Sequence, residues 1–114
     1  HGRGCGILQH AVVLQRNAAG YTYLFTNKAS HVPIKAIVVA VRTRELALRN
    51  TPPERMPGDI GKSGKHQLVP EWYYHPALNA LMNGSFAVRE TPPTRIPWEE
   101  MQKIVLDGLG KMRG

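Results

Sequence analysis

Cysteine is almost absent from this 114-residue chain, where Cys5 stands alone. One thiol excludes an intramolecular disulfide framework and a cysteine zinc site, and it fits a reducing compartment. Cys5 lies among glycines with no activating base in view, so it offers no nucleophile. Long apolar runs are missing too. The longest, Ala36 to Val41, is far short of the ~20 residues of a membrane span, and no signal-peptide pattern opens the chain. These absences predict an intracellular protein, cytoplasmic or in an organelle after removal of a targeting peptide, with no membrane partner. The chain begins at His1 without an initiator Met, which leads us to expect a processed, cropped or excised segment.

Carboxylates are scarce in the first half. Residues 1–50 carry Arg3, Arg16, Lys28, Lys35, Arg42, Arg44 and Arg49 against Glu45 alone, which accounts for +6 of the net charge of +7. Residues 71–114 are neutral, with five cations and five acids. Such asymmetry suits a polyanion-facing half, because Lys and Arg gain most where phosphate counterions are released. Charge alone does not decide, since many small proteins are basic without touching nucleic acid. The ordinary apolar fraction of 42% and the length predict one folded domain over 1–114. It comprises a basic β-rich half (1–50), a Pro/Gly loop (51–70) and a mixed half (71–114).

Residues 7–16 and 21–27 are rich in β-branched and aromatic side chains and flank Asn17-Ala18-Ala19-Gly20, which predicts a β-hairpin. In its second strand Tyr21, Tyr23 and Phe25 alternate with Thr22, Leu24 and Thr26. The run Ile34–Val41 suits a strand buried on both faces, with a buried helix as the alternative. Four prolines and three glycines make residues 50–70 a long loop. Pro76, Leu78, Leu81, Met82 and Gly84 predict a short helix, residues 85–90 a strand, and Pro97 the start of a final helix. That helix carries an apolar stripe of Trp98, Met101, Val105, Leu109 and Met112. The fold class that follows is α+β: an antiparallel sheet of about four strands packed by the C-terminal amphipathic helix.

Residues 47–57 and 87–97 match at seven of eleven positions, both containing Thr-Pro-Pro-x-Arg-x-Pro. Two copies are too few for a solenoid. Each Thr-Pro-Pro is expected to end a strand with a rigid turn. The functional alternative is that Arg49 with Arg55, and Arg89 with Arg95, clamp phosphates or dock protein partners from stiff arms.

Residues 58–63, Gly-Asp-Ile-Gly-Lys-Ser, end like a phosphate-binding loop, but Met56 replaces the first glycine and no helix follows, so nucleotide hydrolysis is rejected. The five histidines show no metal-ligand spacing, and neither a metal site nor a cofactor is expected. Three functions remain. The leading one is binding of RNA or other single strands through Arg16, Lys28, Lys35, Arg42, Arg44 and Arg49, with Tyr21 and Tyr23 stacking on bases. Burial of that aromatic face under the last helix is the competing expectation, and the favoured one, because the helix stripe needs an apolar partner. The second is a metal-independent ribonuclease drawing its acid, base and cation from His31, Lys35, His66 and His75. The third is a structural subunit of a larger assembly.

Overall fold

The computed structural model describes residues 5–9, 12–26, 34–84 and 91–113, with side chains at 12–26, 34–52, 54–84 and 91–109. Three strands and a helix occur twice in succession. β1 (Cys5–Gln9), β2 (Val12–Arg16) and β3 (Thr22–Thr26) precede α1 (Lys35–Leu48); β4 (Gly64–His66), β5 (Val69–His75) and β6 (Ala80–Asn83) precede α2 (Trp98–Arg113). All pair antiparallel in the order β1-β2-β3-β6-β5-β4, so the two units meet at β3 and β6. The α+β class and the packed C-terminal helix stand as expected, with six strands rather than about four. Among the described residues no helix is long and apolar enough to cross a membrane.

The β2–β3 hairpin follows from its turn. Gly20 adopts φ +95°, which glycine enters without a Cβ penalty. The Asn17 side-chain oxygen accepts the amides of Ala19 and Tyr21, each at 3.0 Å. Residues 7–16 are not one strand, however, because they divide between β1 and β2, which pair with each other.

The segment 34–41 is not a strand but the first half of α1. Its buried positions are Ile37, Val38, Val41, Arg42, Glu45 and Leu46, spaced at helical period. Two of those six are charged, so hydrophobicity alone hides the stripe. The helix ends in paired caps: Thr51 donates to Leu46 O at 3.0 Å and Asn50 to Ala47 O at 3.0 Å, with Asn50 at φ 63°. That geometry satisfies the last carbonyls, and Pro52-Pro53 block continuation.

Residues 50–70 are less irregular than expected, with a 3-10 turn at Pro53–Arg55, the short strand β4 and the start of β5. The short helix expected from Pro76 is instead the β5–β6 turn, closed by Leu78 N to His75 O at 3.2 Å and by Asn79 at φ 51°. The strand expected at 85–90 lies outside the described residues.

Both helices pack on one face of the sheet. Val12, Leu14, Leu24, Trp72 and Leu81 meet Ile37, Val38, Val41, Met101, Val105 and Leu109 in one buried cluster. Met112, the last residue of the expected α2 stripe, lies beyond the described side chains. The helices approach so closely at Gly108 that a Cβ there would overlap Ile37 Cγ1. Gly108→Ala should therefore lower stability. The ~1 kcal/mol gained from helix propensity is opposed by ~1–3 kcal/mol of overpacking, and urea unfolding measures the balance.

Arg42 anchors the loop before β4. It is fully buried and donates to Ile60 O (2.8 Å), Lys62 O (2.7 Å), Gly64 O (2.7 Å) and Trp72 O (2.9 Å). Burial lowers its pKa from the ordinary guanidinium value, and the Asp59 charge opposes that shift. Arg42→Met keeps the stem but strips four carbonyls of donors. We expect a loss of about 3–5 kcal/mol, read as a fall in the urea midpoint, with only partial recovery in Arg42→Lys.

Candidate nucleic-acid interface

Strand alternation sends Thr22 and Leu24 into the core and leaves Tyr23 and Phe25 on the face opposite the helices. Tyr23 is half-buried, Phe25 is 39% exposed, and their rings stack at 6.2 Å and 11°. Burial of this aromatic face beneath α2 is thus overturned, because the buried side chains of β3 are Thr22 and Leu24. The register carries the face across the sheet: Gln15 pairs with Tyr23, Tyr23 with Met82, Met82 with Tyr73, and Tyr73 with Lys65. His75 lies two residues beyond Tyr73, with its ring 6.1 Å away and tilted by 46°. Tyr23 and Tyr73 are separated by one intervening strand, about 10 Å at two strand spacings.

Among the described residues no carboxylate stands on the exposed part of this face. Glu71, the acid on β5, is buried against Arg49 and Arg95. The others described lie on the helices or in the loop and 3-10 turn between α1 and β4.

The cations expected at the interface have other partners. Arg16 donates to Thr22 Oγ1 at 2.6 Å and Ile96 O at 2.7 Å and lies 5.5 Å over the Trp98 ring. Burial lowers its pKa, with Glu45 and Glu99 opposing. Arg42 is internal. Arg44 pairs with Glu100 across the helices, and Arg49 bonds Leu68 O and Glu71. Tyr21 donates its hydroxyl to Thr91 O at 2.7 Å. Lys35 is exposed at the start of α1, and Lys28 lies outside the described residues. Of the described members of the expected set, Tyr23 alone faces outward from a strand of the sheet.

The second proline arm is a strap bonded to the body rather than a free clamp, with Thr91 and Ile96 buried and Pro92, Pro93, Arg95 and Pro97 exposed. Glu45, fully buried, accepts from Trp72 Nε1 (2.9 Å), Thr94 Oγ1 and Arg95 N (3.0 Å). Asn83 donates to Glu71 O and Pro92 O and accepts from Thr94 N. Arg49 and Arg95, one from each sequence copy, converge on Glu71 Oε2 at 3.4 and 3.0 Å. Arg55 is exposed, and Arg89 lies outside the described residues. The first copy ends α1 and the second leads into α2, so the repeated sequence is not the structural repeat.

Of the ribonuclease candidates, His31 lies outside the described residues. His66 Nε2 donates to Asp59 Oδ1 at 2.9 Å while its Nδ1 accepts Leu68 N at 3.1 Å, so both ring nitrogens are engaged. His75 closes β5 at the other end from Val69, the partner of His66, roughly 20 Å away along the strand. The two do not converge. Among the described residues no three His, Cys, Asp or Glu side chains gather as metal ligands.

Tyr73, Met82 and Lys65 complete a face that the β3 pattern only began. Their signal lay in the alternation of Trp72, Tyr73, Tyr74 and His75, visible once that segment is placed in a strand. No protein-family model matches the chain, and neither curated proteins nor solved structures show a significant similarity to it.

The hydrogen bond from His66 holds the Asp59 carboxyl below its ordinary value of 3.8. A carboxyl whose pKa falls on folding stabilises the folded state above its unfolded value, and acid removes that contribution as pH drops through the folded value. Asp59→Asn should therefore flatten the acid limb of the stability profile below about pH 4. Urea midpoints across that range, compared with wild type, give the check.

Proposed function

We propose that the protein binds single-stranded nucleic acid, RNA in the first instance, on the helix-free face of its sheet. The observation that carries this reading is an aromatic surface with no exposed carboxylate among the described residues: Tyr23, Phe25, Tyr73 and His75 lie outward, with Lys65 at its edge. Aromatic rings accept the faces of unpaired bases whatever the sequence, and an acid-free surface does not repel phosphate. The reading keeps the ligand class that the basic composition suggests and moves the contact from the N-terminal cations to the sheet face.

Anisotropy of a labelled oligoribonucleotide over a salt series tests it. Affinity should fall as salt rises. Phe25→Ala and Tyr73→Ala should each weaken binding about 5- to 100-fold, from ~1–3 kcal/mol per stacked base, while melting temperatures hold. Absence of binding, or variants that bind like wild type, would remove the proposal. The face is also apolar and poor in charge, as protein interfaces are. Self-association that Phe25→Ala abolishes, without oligonucleotide binding, would point instead to a subunit of a larger assembly.

A further inference from the structure

The loop leading into β4 holds more positive charge than its own sequence supplies. Residues 58–63 carry Lys62 against Asp59, but α1 contributes two further cations from below and beside the loop. Arg42 is buried under it and bonded to its carbonyls at Ile60, Lys62 and Gly64. Lys35 lies across Gly61: a Cβ at that glycine would stand 3.1 Å from Lys35 Cε and 2.9 Å from Val39 Cγ2. The missing side chain thus lets the lysine stem lie on the loop at the residue before Lys62. Lys65 follows three residues after Lys62, at most about 11 Å along the chain. With Arg42, that is four cations against the single carboxylate of Asp59, itself held by His66. Among the described residues Lys35, Lys62 and Lys65 have no carboxylate within ion-pair distance.

We infer that Lys35, Lys62 and Lys65 form a phosphate track along the β4 edge, which receives the backbone of the strand whose bases stack on the sheet. This rests on the function proposed above and names the path by which the ligand leaves the aromatic face. Lys65 is the junction, because its register partner is Tyr73. The Arg42 guanidinium beneath the loop adds to the field without touching ligand. Close like charges repel one another, and an anion seated between them relieves that repulsion.

The test is the salt dependence of binding to an oligouridylate of about eight nucleotides, within the usual range of single-strand site sizes. Each phosphate contact contributes about 0.7 to the slope of log affinity against log salt for single strands. Lys35→Met keeps the stem over Gly61 and removes the charge; paired with Lys62→Gln it should reduce the slope by about 1.4. Lys62→Gln alone, at an exposed position, should reduce it by about 0.7, independently of any disturbance at Gly61. Lys103→Gln, on α2, lowers the net charge equally and should leave the slope unchanged. If the loop variants match wild type, or match Lys103→Gln, binding is retained but the track is wrong. If wild type binds no oligonucleotide, both the track and the reading of the sheet face fail.

Discussion

A guanidinium whose acceptors are all backbone carbonyls ties the two halves of this protein together. Arg42 projects from α1 in the first unit and bonds two carbonyls of the loop before β4, one of β4 and one of β5 in the second. Burying a charge costs several kcal/mol. Four charge-assisted bonds at about 1.5–3 kcal/mol each exceed that cost. The balance holds only while all four carbonyls stay in place. Arg42 therefore sets the shape of a glycine-rich segment that lacks a helix or long strand to shape itself, and through it the position of edge strand β4.

Glu45, one helical turn further along α1, ties a further segment to the strand that Arg42 holds. Its carboxylate gathers Trp72, Thr94 and Arg95, so β5 and the strap before α2 close on the same helix. One helix thus presents a buried cation and a buried anion to two segments that could not order themselves. Because both charges are used inward, the helix side of the sheet is committed to structure. The outer face is left with rings, Met82 and Lys65.

The internal duplication in the sequence and that in the fold are different things. The repeated eleven residues end one helix and precede another, since proline-rich sequence stops a helix at its C-terminus and starts one at its N-terminus. One arginine of each copy, Arg49 and Arg95, meets the other at Glu71. A pair of guanidiniums that looks like a phosphate grip in sequence is here the neutralisation of a buried carboxylate.

Local chemistry determined what could be read directly. The Asn17–Gly20 hairpin, the alternation of Tyr23 and Phe25 with Leu24, and a last helix starting after Pro97 follow from turn residues and periodicity within a few residues. So does the α+β class. Tertiary structure alone decided the rest. Ile34–Val41 became a helix because its stripe is completed by Arg42 and Glu45, whose burial depends on partners 18 to 50 residues away. Long-range pairing also engaged Arg16, Arg42, Arg44 and Arg49 within the protein, although Arg44 stays exposed. Net charge is a property of composition, but which charges face solvent depends on long-range contacts, and those are absent from any local pattern. Composition counts the charges and rings; only the fold decided that Phe25, Lys35, Lys62 and Lys65 stay exposed.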